Sequence, residues 1–169
     1  MPHSSAHTDL PQGDTGLIDT PIAQELLAAA TPALLAYIAL DGTPRNVPLN
    51  FHWNGNDVVM GAFAGTFKVA ALQAHPTVAV TISTHHDGAK VLLLRGNAVL
   101  TDFDGLLPEY AFAHVRTVGG KASKDYLAAI DQPGLRMVRI ALRPAWVGVL
   151  DFAERLPERT PGPVRQALT

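Results

Sequence analysis

The sequence contains no cysteine. That absence removes disulfides, thiolate catalysis, iron–sulfur clusters and cysteine-based zinc sites from consideration. There is also no apolar run approaching the roughly 20 residues that a membrane-crossing helix needs, so no membrane partner is expected. Positive charge is not in excess: 13 Lys and Arg stand against 15 Asp and Glu, for a net charge of -2. Nucleic-acid binding leaves a strong basic footprint, so no nucleic-acid partner is expected either. Charged residues are sparse at 17%, while apolar residues reach 47%. That balance favours a packed core over a disordered chain, and 169 residues suit one domain.

The two ends read differently from the middle. The opening "MPHSSAHTDLPQGDTG" lacks the basic start and apolar stretch of a signal peptide. It reads as a loose tail over residues 1–18, and the Pro- and Arg-containing end reads as a second tail over 157–169. The domain is expected over 19–156. With no disulfide chemistry, a cytoplasmic location is the expectation.

Turn residues divide that domain into elements. Thr20-Pro21 and Thr31-Pro32 bracket a short helix. "ALLAYIAL" reads as a buried strand that ends at Asp41-Gly42. "RNVPLNFHW" alternates as one strand, and Asn54-Gly55 turns it into "DVVMGAF". Thr66 to His75 reads as a helix closed by Pro76. "TVAVTIST" and "KVLLLRGNAVLTDF" follow as strands. Leu106 to Arg116 and Lys121 to Ile130 are helical stretches parted by Gly119-Gly120. "LRMVRIALRPAWVGVLDF" reads as one long last strand with a bulge at Pro144. The sum is α+β, mainly β: a six-stranded antiparallel barrel with peripheral helices.

One residue asks for an explanation. Lys68 lies in the first turn of a predicted helix, where free backbone N–H groups already carry partial positive charge. A cation there is unfavourable by a few tenths of a kcal/mol unless an anion neutralises it. A phosphate would do so, with the Thr66 hydroxyl, the free amides and the Lys68 ammonium converging on it. A solvated surface lysine is the plain alternative.

The residues around Lys68 carry a resemblance. "RNVPLNFHWNG", "GAFAGTFK", "LQAHPTVAV" and "LLLRGNAVL" resemble the flavin-binding split-barrel family, that of pyridoxamine 5'-phosphate oxidase and its relatives. The likeness runs over about residues 34–99 and looks nearest to the nitroimidazole-resistance branch. It implies a six-stranded split barrel working as a homodimer, with flavin mononucleotide (FMN) in the groove between subunits. Some branches hold F420 or haem instead.

By that resemblance, Arg45 and Thr66 stand where the family meets the flavin phosphate, and Lys68 matches a lysine two positions on. Val47, Pro48, Leu49, Gly61 and Ala62 would offer backbone groups to the ring. Asn50 replaces a lysine, and Phe67 replaces an arginine. Phe67 would stack on a ring or pack on the barrel. The implied function is FMN-dependent oxidoreduction, with hydride transfer to a small conjugated or electron-poor substrate. The alternative is a non-catalytic carrier of flavin, F420 or haem on the same scaffold. No side chain stands out as a catalytic acid or base. Tyr110, His114, Tyr126 and Trp146 are candidate gate residues. His85-His86-Asp87 reads as a solvated turn rather than a metal site, so no metal is expected.

Overall fold

Thr20 starts the first helix as its chemistry dictates. Its hydroxyl accepts from the Ala23 N–H at 3.3 Å and donates to the Leu17 carbonyl at 2.7 Å, and Pro21 fills the first helical position. In the computed structural model, residues 10–84, 89–152, 156–157 and 159–168 are described. After a 3₁₀ turn (Thr15–Asp19) come α1 (Pro21–Ala28), β1 (Ala33–Ile38), β2 (Pro44–Leu49), β3 (Phe51–Trp53) and β4 (Val58–Phe63). Next are α2 (Phe67–Ala74), β5 (Thr77–Thr84), β6 (Lys90–Asp104), α3 (Pro108–Val118) and α4 (Gly120–Ile130). β7 (Arg136–Leu142), β8 (Trp146–Asp151) and α5 (Gly162–Leu168) complete the chain.

Among the described residues eight strands, not six, form the sheet. Their order is β2-β1-β5-β6-β7-β4-β3, with β8 also pairing β6, and every pairing is antiparallel. Two predicted strands are each divided. "RNVPLNFHW" breaks at Asn50, because β2 pairs with β1 while β3 pairs with β4 on the other half of the barrel. The last strand breaks at Pro144, which has no N–H for a ladder; the neighbouring Ala145 N–H donates to the Arg95 carbonyl at 2.8 Å. β6 joins the two halves. Residues 90–97 pair with β5 and 90–95 with β8, whereas 98–104 pair with β7.

The core is the inward row of each strand: Leu35, Phe51, Ile82, Leu92, Leu94 and Ile140 are fully buried. Each such side chain contributes about 1.5–3 kcal/mol of burial. The expected N-terminal tail begins to pack earlier than 19. Gln12 bonds both main-chain groups of Val149, the Gly13 N–H donates to the Val147 carbonyl, and Leu17 is fully buried. Leu10 and Leu17 supply the apolar contacts that the polar composition of this segment obscures. Near the other end, residues 162–168 form a helix with exposed side chains over 162–167.

Candidate functional site

β4 runs out at Phe63, and the chain turns through Ala64-Gly65 into α2. Thr66 is the N-cap residue, with extended backbone (φ -75°, ψ 150°), but its side chain makes no capping bond. Its Oγ1 is buried with no hydrogen-bond partner among the described residues. A buried hydroxyl left unpaired costs about 1–3 kcal/mol. Two residues on, Lys68 is half-buried, and burial lowers the pKa of its ammonium. No described residue forms an ion pair with it. The first turn of α2 therefore holds a buried hydroxyl and a partly desolvated cation, beside the free N–H groups of a helix start. This donor set fits an anion such as phosphate. Phe67 is 92% exposed between them, so it does not pack on its own barrel.

The other residues implicated by the sequence are placed as follows. Arg45 is exposed on β2 and is held within its own hairpin. Its guanidinium bonds the Asp41 carboxylate at 2.9 Å and the Thr43 hydroxyl. Hydrogen bonds from the Thr43 hydroxyl and N–H, with the Arg45 charge, hold the Asp41 carboxyl down to about 2, so that partner stays anionic. Arg45 makes no bond to the start of α2 among the described residues. Val47, Pro48 and Leu49 face Leu35, Leu34 and Ala33 on β1, and half-buried Asn50 follows where the strand breaks. Gly61 and Ala62 are buried in β4 opposite Arg139 and Val138. β3 pairs with β4 only as far as Met60, so residues 61–62 have a sheet neighbour on one side, β7.

Three of the four candidate gate residues meet. Tyr110 and His114, one turn apart on α3, and Tyr126 on α4 form a single cluster above β4. The Tyr110 and Tyr126 hydroxyls are 2.8 Å apart, and His114 stacks on Tyr126 with centroids 4.5 Å apart and planes at 12°. Tyr110 also lies 6.3 Å from the Phe63 ring. Burial and the bond to Tyr126 push the Tyr110 hydroxyl well above its usual pKa, so it stays protonated. Trp146 is elsewhere: it lies beneath the Arg95 guanidinium, 3.9 Å from the ring centre, on the far half of the barrel. His85-His86-Asp87 lies outside the described residues. Among those described, no three His, Asp or Glu side chains gather as metal ligands.

Sequence reasoning missed Ser123, Glu109 and Arg116. Ser123 is buried, and its Oγ is 2.8 Å from His114 Nδ1. Glu109 pairs with Arg139 at 2.9 Å and pins α3 to β7. Arg116 donates to the Phe51 and Leu27 carbonyls and covers the Phe51 ring, fastening the far end of α3. Glu109 at the first helical turn and Arg116 at the last are where the helix dipole favours them, and that was the signal available.

Comparison with known proteins extends the geometry. No protein-family model and no curated protein matches the chain. Solved structures do. An FMN-binding, pyridoxamine 5'-phosphate oxidase-related protein from Nostoc punctiforme superposes with a TM-score of 0.58 at 15% identity, covering 82% of this chain and 87% of that one. The chain has the fold of the pyridoxamine 5'-phosphate oxidase-like split barrels. A structure described as an F420 reductase matches this split barrel with a TM-score of 0.55 at 23% identity, over 72% of this chain and 91% of the other. A conserved hypothetical protein of Mycobacterium tuberculosis gives 0.58 at 16%, over 82% and 88%.

Proposed function

We propose that this split barrel binds a flavin-type cofactor by its phosphate at the start of α2 and serves as an oxidoreductase for a small conjugated or electron-poor substrate. The observation that carries the reading is the pairing of Thr66 Oγ1, buried without a partner, with Lys68, half-buried without a counter-ion. A phosphate supplies both needs at once. The neighbours described as FMN-binding and as an F420 reductase support a flavin or deazaflavin ring on that phosphate. FMN is the first candidate and F420 the second.

When bound, the ring supplies the hydride chemistry. The chain's own part is to hold and shield. Thr66 and Lys68 anchor the phosphate. The one-sided edge of β4 at Gly61 and Ala62, with Val47 to Asn50, offers main-chain groups to a ring edge. Exposed Phe67 supplies an apolar face. Arg45, engaged by Asp41, would have to leave its hairpin to reach an anion. A second copy of the chain would close the groove, so a homodimer of 18.0 kDa chains is proposed.

The deciding experiment is the visible absorption spectrum of the purified protein, repeated after adding FMN or F420 and removing the excess. A retained flavin or deazaflavin band supports the reading and names the cofactor. A protein that keeps neither, at concentrations where light scattering shows a dimer, refutes it.

A further inference from the structure

The cluster between α3 and α4 has more polar capacity than the fold consumes. Tyr110 and Tyr126 share one hydrogen bond between their hydroxyls. Only one of them can donate in it, so the other keeps a free O–H. Tyr126 is 37% exposed, so the pair is open to solvent on that side. At His114, Nδ1 meets the Ser123 hydroxyl at 2.8 Å. Ser123 is 1% exposed, and this is the hydrogen bond its hydroxyl makes among the described residues. The buried hydroxyl therefore donates to Nδ1, because the reverse arrangement would leave its own hydrogen without an acceptor. With Nδ1 accepting, Nε2 carries the ring hydrogen. Nε2 has no partner among the described residues and is not among the buried unpaired atoms, so it too is open.

Shape and charge narrow what this array takes. Tyr110 and Tyr126 both stack with His114, at 6.3 Å and 30° and at 4.5 Å and 12°, and a flat conjugated ring extends such a stack at its exposed Tyr126 end. The nearest strong charges cancel: Arg139 is paired with Glu109. Among the described residues no cation lies over the rings of the cluster, and its donors suit uncharged acceptor oxygens, of carbonyl or nitro type, better than a carboxylate. Tyr110 also packs directly on Gly61 and beside Phe63, three residues before Thr66. The array is thus at the edge of the candidate cofactor site.

We propose that Tyr110, Tyr126 and His114, the last held by Ser123, form the substrate platform of this protein, which binds a flat, uncharged, electron-poor ring through its carbonyl or nitro oxygens. The assignment as substrate rests on the cofactor reading above; the binding itself does not. His114 and the tyrosines act by contact with the ligand, and Ser123 is a positioning residue.

The test uses 4-nitrobenzamide as probe and 4-nitrobenzoate as its charged counterpart, titrated by calorimetry into the FMN-treated and the flavin-free protein. The amide should bind and the carboxylate should bind less well. Each lost donor should weaken amide binding about five- to ten-fold in Tyr110→Phe/Tyr126→Phe and in His114→Phe, which keep the rings. FMN affinity should be unchanged in both. The 15N signal of His114 Nε2 should move on adding the amide, which a merely structural role would not produce. Absence of amide binding in the wild-type protein, equal binding by all variants, or a preference for the carboxylate would overturn the proposal. Failure to take up FMN overturns the cofactor reading instead, and the flavin-free titration then still decides the platform.

Discussion

Tyr110 rests on the bare backbone of Gly61. A Cβ added at Gly61 would lie 2.8 Å from Tyr110 Cδ2 and 3.0 Å from its Cβ, closer than atoms pack. The glycine is thus required by the helix above it, and α3 fixes the wall over β4. Gly61→Ala should destabilise the protein by about 1–3 kcal/mol, the usual cost of overpacking. Urea unfolding measures it. An unchanged midpoint would mean that α3 moves freely over the sheet.

At the start of α2, opposite signs are expected from one substitution. Lys68→Met removes a cation whose burial is uncompensated, so the cofactor-free protein should be as stable as wild type or more stable. Cofactor affinity should fall by about 1–3 kcal/mol, the value of a charge-assisted bond. Thr66→Val should behave alike, gaining about 1 kcal/mol without cofactor because an unpaired buried hydroxyl disappears. Thermal melts with and without FMN separate the two effects. A loss of stability in both states would remove the anion-site argument.

The Glu109–Arg139 pair makes a pH prediction. Burial by itself pushes the Glu109 carboxyl up. The hydrogen bond from Arg139, with its own backbone bond and the charges of Arg139 and His52, outweighs that, so the carboxyl titrates below its ordinary 4.5. A carboxyl lowered on folding contributes stability that is full above the unfolded value and is lost as pH falls through the folded one. The contribution should therefore be present at neutral pH and fade below about pH 4.5. Glu109→Gln should cost about 1–2 kcal/mol at pH 7, between exposed and buried pairs, and much less at pH 3. Unfolding curves at both pH values check this.

Residues 10–19 belong to the fold and not to a tail. Leu17→Ala should cost about 2–5 kcal/mol, as for other fully buried leucines. Limited proteolysis should accordingly spare residues 10–19. Early cleavage inside 10–19 would contradict the bonds of Gln12 and Gly13 to β8.

Much of this architecture was legible in the residues. Thr20-Pro21, Asn54-Gly55, Pro76 and Gly119-Gly120 each mark a boundary that the structure keeps. Their chemistry is local, so the sequence displays it. The two divided strands were not legible. Alternation continues through Asn50 without a change of period, and the break arises because β1 claims one side and β4 the other. The site divides in the same way. Lys68 stood out because its position in a helix is a local property. The engagement of Arg45 by Asp41, the unpaired state of Thr66 Oγ1 and the Ser123–His114 bond depend on side chains brought together by folding. Leu17 was obscured by its polar neighbours.

β6 has a consequence for how the chain is made. It is the strand both halves share, and its partners β7 and β8 are near the end of the sequence. Gln12 also fastens to β8 through Val149, 137 positions away. A chain that ends before β7 therefore holds β6 with one edge bare along its length, and Leu17 lacks the shelter of β8. Long-range pairing of this kind folds on the millisecond-to-second scale. The barrel is completed only once β8 has been made, and a chain truncated before β8 presents an open sheet edge, ready to pair with its neighbours.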